Sequence, residues 1–265
     1  MLRALYTAAS GMTAQQFNID TISHNLANVN TTAFKRVRPE FQDLLYLTIR
    51  RPVAVEGGAA GAPTGIDVGL GVRAAGSHTI FQQGSLQPTG NPLDLALSGP
   101  GFFVVKGPGD EELYTRDGSF KLDGEGRLVT TDGYLVQGED GDIEIPPEAK
   151  EISVSADGTI TYLSSEDSKP QEVDKLLIVQ FINPAGLEKL GRNIYRATAA
   201  SGEPQEVGEN GSQNVTVEQG FLESSNVQVV EEMVSLITAQ RAYELNSKAV
   251  QAADEMLQIA NNLRR

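Results

Sequence analysis

No glycine or proline interrupts residues 225–265, and along them apolar side chains recur at steps of three and four. The series is Val227, Val230, Val234, Ile237, Leu245, Ala249, Ala252, Met256, Ile259 and Leu263, with Arg241 on the one rung between Ile237 and Leu245. A helix of about 38 residues would reach about 57 Å at 1.5 Å per residue. Such length with so narrow a stripe points to a coiled coil or helical array. Ser224 or Ser225 is expected as N-cap. Glu231 and Glu232 in the first turns and Arg264 and Arg265 at the end match the sign of the helix dipole.

The amino terminus carries a second seam. Leu2, Leu5, Ala9, Met12, Ile19 and Leu26 follow the same steps, with Gln16 and Ser23 on polar rungs. A helix is expected over roughly residues 3–28, about 39 Å long. It should stop in the Asn- and Thr-rich stretch 25–32, with Asn28 or Asn30 as cap. Neither stripe is wide enough to bury itself alone, so the helices must pair with each other or with other copies.

Between the helices the period shortens to two. Phe102–Val105, Gly126–Val129, Ile143–Ile145, Glu151–Val154 and Leu176–Val179 read as strands. Five Asp-Gly pairs, at 117, 123, 132, 140 and 157, suggest tight hairpin turns. The fold class expected is α+β, with long amino- and carboxy-terminal helices forming a coiled-coil-like pair and an inserted, mostly antiparallel β domain. The boundaries expected are a discontinuous helical polymerisation domain at 1–35 with 225–265, an extended connecting segment at 36–75, and a β-rich outer domain at 76–224.

Charge and composition narrow the function. Lys and Arg total 21 against 35 Asp and Glu, and the net is +3 over residues 1–51, −16 over 52–224 and −1 over 225–265. A surface for nucleic-acid phosphates is disfavoured by this balance. Without Cys there is no disulfide framework, thiolate nucleophile or Cys-based zinc site. No apolar run is long enough for a membrane span, and the start MLRALYTAASGMTAQQ does not develop a signal-peptide core.

No catalytic, cofactor or metal site is expected. His24 and His78 are the only histidines, and neither has a partner at relay or ligand spacing. The segment from Asp123 superficially matches a calcium loop, but Arg127 occupies an oxygen-ligand position, so a hairpin turn explains it better. Glu139, Asp140 and Asp142 read as a solvated acidic turn. The glycines at 99 and 101 precede an apolar strand and lack the dinucleotide spacing.

Three stretches carry a family resemblance. NLANVNTTAFKR (25–36), containing Asn25, Leu26, Ala27, Asn28, Phe34 and Lys35, resembles the amino-terminal signature of bacterial flagellar rod and hook proteins. Residues 83–105 resemble that family's central motif, and 219–257 its carboxy-terminal motif. FQDLLYLTIRRP and PTGIDVGLGVR look like the distal-rod branch rather than the proximal-rod or hook branches.

The resemblance implies a structural axial subunit whose terminal helices form the inner tube around the export channel, with the β domain outside. It implies self-association into a helical homopolymer in the basal body. Proximal rod, hook, surrounding ring proteins and the flagellar type III export apparatus would be its partners, and export through the periplasm would occur without signal cleavage. A proximal-rod or hook-type subunit remains an alternative, as does a secreted oligomeric β-domain binding module. Ala33 stands where relatives often have Gly, so a positive φ there would be strained by about 1 kcal/mol.

Overall fold

The computed structural model describes residues 2–51, 64–146, 148–164, 170–207 and 215–262. Helix α1 spans Leu2–Ala27 and helix α2 spans Val229–Asn262. Both expected helices are present, and α2 begins a few residues later than expected. The Ser225 hydroxyl accepts from the Val227 N–H at 3.3 Å, a local turn ahead of the helix rather than a cap on it. Leu263, Arg264 and Arg265 lie outside the described residues.

The chain divides into two compact units: 1–27, 37–78 and 228–265 in the first, and 28–36 with 79–227 in the second. In the first unit α1 and α2 pack against each other. The other described residues of this unit form a two-stranded ribbon. Val37–Asp43 pairs with Val72–Thr79, and Tyr46–Arg50 pairs antiparallel with Ile66–Gly69. Leu44 N–H to Gly71 O (2.8 Å) and Leu70 N–H to Leu45 O (3.3 Å) carry the ladder from one part to the other. Phe41 meets Phe17 of α1 edge to face, and the Val72 N–H donates to the Ser10 hydroxyl. Leu45, Tyr46, Leu47, Ile49 and Ile66 nevertheless remain exposed on the ribbon. Residues 52–63 of the expected connecting segment lie outside the described residues.

The second unit is built on antiparallel strands. Its main sheet, nine-stranded among the described residues, is centred on Phe102–Lys106, which pairs with Glu112–Thr115, Leu135–Val136 and Ile178–Gln180. Phe102–Val105 is apolar without alternation because both faces of this strand are buried. Phe103 and Val105 enter one core with Leu97, Phe120, Leu128 and Ile143, while Phe102 and Val104 enter another with Tyr114, Phe181 and Tyr195. Ala149–Val154, Thr159–Ser164 and Gln171–Lys175 form a separate antiparallel sheet. Residues 143–145 make an isolated bridge to Arg127 rather than a full strand.

The Asp-Gly pairs divide by role. Gly158 (φ 88°) turns the hairpin between Ala149–Val154 and Thr159–Ser164, and Gly133 and Gly141 also take positive φ. Gly118 does not make such a turn. A Cβ there would lie 1.6 Å from the Leu95 carbonyl oxygen, so this position is glycine because backbone crosses backbone. In the calcium-like segment the Arg127 guanidinium lies between Asp123 (3.1 Å) and Glu125 (2.9 Å). The Gly124 N–H, then Arg127, hold the Asp123 carboxyl below its usual range.

Candidate functional site

The face that α2 turns toward α1 is small and polar. Glu232, Ala239, Asn246 and Ala253 recur every seven residues; Glu232, Ala239 and Ala253 are buried and Asn246 is half-buried. On α1 the matching series is Gly11, Asn18 and Asn25, with Ala14 and Thr21 buried between them. Two contacts fix the correspondence. A Cβ on Gly11 would sit 3.0 Å from the Asn246 amide nitrogen, and the Asn25 amide donates to the Glu232 carboxylate at 3.4 Å. Small residues let the helices approach closely, and the buried polar pair favours one register.

The two sequence-identified seams lie on other faces, since a helix turns 100° per residue. On α2, Val230 is 75 % exposed, Ile237 49 %, Leu245 66 % and Ile259 60 %, and Val234, Arg241, Ala249, Ala252 and Met256 are exposed with them. Val227, just ahead of the helix, is buried in the second unit. On α1, Leu5, Met12, Ile19 and Leu26 are half-buried, whereas Ala9, Gln16 and Ser23 are exposed; the Leu2 side chain and Leu263 are outside the described set. Hydrophobic scanning finds these stripes but passes over the packed face, whose signal is a seven-residue recurrence of Gly, Ala and Asn.

The signature residues serve different places. Asn25 anchors α1 to the start of the ribbon, with its amide donating to the Val37 carbonyl (2.8 Å) and its oxygen accepting from the Val37 N–H (3.0 Å). Asn28, Phe34 and Lys35 belong to the second unit, where Phe34 and Lys35 are buried. Lys35 Nζ donates to Glu223 Oε1 (2.6 Å) and to the Gln82 carbonyl (2.9 Å). Arg116 Nε donates to Glu223 Oε2 (3.0 Å), and the Gly84 N–H donates to Oε1 (2.8 Å). Asn226 accepts from the Arg36 N–H at 2.7 Å and donates to the Ile80 and Gln82 carbonyls. Glu223, Arg116 and Asn226 escape sequence reasoning because their partners are distant in the chain.

Among the described residues there is no grouping of three or more His, Cys, Asp or Glu placed to hold a metal ion, and no helix long and apolar enough to cross a membrane. The features already described are the apolar stripes on the helices and a buried ionic cluster in the second unit.

Comparison with known proteins bears on both. Residues 5–35 match the family described as flagella basal body rod protein, 96–162 the flagellar hook protein FlgE/F/G D1 domain, and 218–263 the flagellar basal body rod FlgEFG protein C-terminal family. Flagellar basal-body rod protein FlgG of Borreliella burgdorferi is 47 % identical over 100 % of both chains. The FlgG of Caulobacter vibrioides is 44 % identical over 99 % of this chain and 100 % of its own, and that of Bacillus subtilis 40 % over 100 % of both. The chain belongs to the flagellar basal-body rod protein family.

The buried cluster takes one residue from each of the three matched segments: Lys35 from the first, Arg116 from the second and Glu223 from the third. Ala33 lies in the same rod-family stretch at φ 55°, buried, with its N–H donating to the Glu223 carbonyl at 2.7 Å. The left-handed region costs an alanine about 1–2 kcal/mol, and its buried methyl returns about 0.8 kcal/mol. Ala33→Gly is therefore expected to change stability by under about 1 kcal/mol, whereas Ala33→Val, β-branched in a closed space, should cost more than about 2 kcal/mol. Urea denaturation of the two variants checks this.

Proposed function

We propose that this chain is a structural subunit of the flagellar distal rod, polymerising with its own copies into a rigid, hollow helical shaft that carries torque from motor to hook and lines the export channel. The outward display of the apolar stripe on α2, beside an α1 stripe that is only half-buried, after the small and polar faces of the two helices have packed together, supports this reading. In it α1 and α2 pair in coiled-coil fashion, and the stripes through Leu5, Met12, Ile19 and Leu26 and through Val230, Ile237, Leu245 and Ile259 are buried on neighbouring copies. A contact of this kind that does not close on itself builds an open filament. Gln16, Ser23 and Arg241 set register along the stripes. The ribbon's exposed Leu45, Tyr46 and Ile49 extend the contacts between subunits, and the acidic β unit forms the outside.

The proximal rod, the hook, the surrounding rings and the type III export apparatus are its partners, and its place is the rod where it crosses the periplasm, reached without signal cleavage. The role is mechanical and needs neither catalysis nor cofactor. Limited proteolysis with mass spectrometry, before and after induced polymerisation, tests it. Both helical ends should be cut more slowly in the polymer than in the monomer, where α1 and α2 are held only by each other. Ends protected equally in a chain that stays monomeric would replace this reading with that of a β-domain binding module.

A further inference from the structure

Among the described residues, Glu223 is the single carboxylate in a buried cluster with two cations. Lys35, Arg116 and Glu223 have side chains 0–2 % exposed, and the Arg116 guanidinium also lies 5.7 Å from the centre of the Phe102 ring and donates to the Gly99 carbonyl. The formal charge of the three is +1. A buried charge without a counter-charge is costly, whereas a one-to-one Arg–Glu pair with its remaining hydrogen bonds filled is balanced. The surplus can leave in one step. When Lys35 Nζ gives up a proton to solvent the cluster becomes neutral, and the amine keeps donors for Glu223 Oε1 and the Gln82 carbonyl.

The cluster sits where it matters for the chain path. Residues 33–36 and 223–226, which lead out of this unit toward α1 and α2, are tied here by the Lys35–Glu223 pair, the Ala33 N–H to Glu223 O bond and the Arg36 N–H to Asn226 bond. We propose that the Lys35–Glu223–Arg116 cluster is a proton-linked latch that fastens the roots of both terminal segments to the β unit, and that it holds more tightly in mildly alkaline than in neutral solution.

The charged and titratable groups facing Lys35 are Arg116, at the end of the strand Glu112–Thr115, and Glu223, on Phe221–Glu223; Tyr195, on Ile194–Arg196, interacts in turn with Arg116 and Glu223. Burial, with the Arg116 charge adding to it and Glu223 opposing, brings the Lys35 amine down to about 8. Burial pushes the Tyr195 hydroxyl up to about 12, so it keeps its proton through the window in question. A lysine in the unfolded chain titrates near 10.4. Between these two values the unfolded chain binds more protons than the folded one, so stability from this group rises with pH across the window and is absent below about 8.

Urea unfolding of the full-length monomer at pH 7 to 10 tests the latch, comparing wild type with Lys35→Arg, whose charge is permanent, and Lys35→Met, which leaves the Arg116–Glu223 pair. The ratio of each variant's unfolding constant to that of wild type should be flat near pH 7 and rise about tenfold per pH unit between about 8 and 10. Titration elsewhere cancels in the ratio, and a merely structural Lys35 would not give it a slope. A ratio that is flat or falls with pH overturns the proposal. If Lys35→Met does not fold, the Lys35→Arg ratio decides alone. Because the readout is from the monomer, its failure is separable from failure of the rod assignment.

Discussion

Leu245→Asp is expected to leave the monomer's far-ultraviolet circular dichroism unchanged while raising the critical concentration for polymerisation at least about a hundredfold. In the folded chain Leu245 is largely exposed, so a carboxylate there stays in water. In the polymer the same position is buried in the proposed seam, and desolvating an unpaired carboxylate costs several kcal/mol; about 3 kcal/mol alone is more than a hundredfold. Ile237→Asp should act in the same way. Ala239→Asp makes the contrast, since Ala239 is buried on the face that meets α1, and this variant should lose helix content before any polymerisation is attempted. Pelleting assays over a concentration series would measure the shift. Wild-type polymerisation by Leu245→Asp would remove the stripe from the assembly contact.

Residues 28–227 expressed alone should give a folded, strand-rich monomer with a cooperative transition, whereas 76–223 should be weaker by about 3–5 kcal/mol or fail to fold. The shorter piece lacks buried Ala33 and Phe34 and the Lys35 end of the cluster. It also loses the Asn193 amide bond to the Thr32 carbonyl, the Ile80 N–H bond to the Arg36 carbonyl, and all the bonds of Asn226. Glu223→Gln in the longer piece should be comparably severe, because it leaves two buried cations facing a neutral amide. Thermal denaturation followed by circular dichroism distinguishes the three. Equal stability of 28–227 and 76–223 would mean that the first segment rests on the β unit without supporting it.

The contrast between these fragments also shows what kind of information a chain like this carries locally. The two helices were legible because length, periodicity and the lack of Gly and Pro are properties of consecutive residues, and α1 ends at Ala27 as the Asn-rich stretch suggested. Strand 149–154 was legible for the same reason, whereas 102–106 was legible as an apolar run although the period of two expected for it is absent, both of its faces being buried. The packed helix face was not, since Gly11, Asn18, Asn246 and Glu232 are chosen for close approach and register rather than for hydrophobicity. Nor was the cluster at Glu223, whose partners lie 107 and 188 residues away and meet only once the β unit has formed. Asp117-Gly118 misled in a different way: the pair has hairpin chemistry, but the Leu95 carbonyl, more than twenty residues earlier, decides why the glycine is there.

The stitching of 33–36 to 223–226 has a mechanical consequence. A pull applied between the leads of the β unit toward α1 and α2 is met first where those leads lie side by side, by bonds that load in parallel: an ion pair, a backbone hydrogen bond and the Asn226 bridge. The strands beyond are shunted out of the load path until that fastening gives way. Tension and twist reaching the unit through its leads would thus be short-circuited near the entry point, and the large sheet could keep its shape under stress without itself being a strong spring.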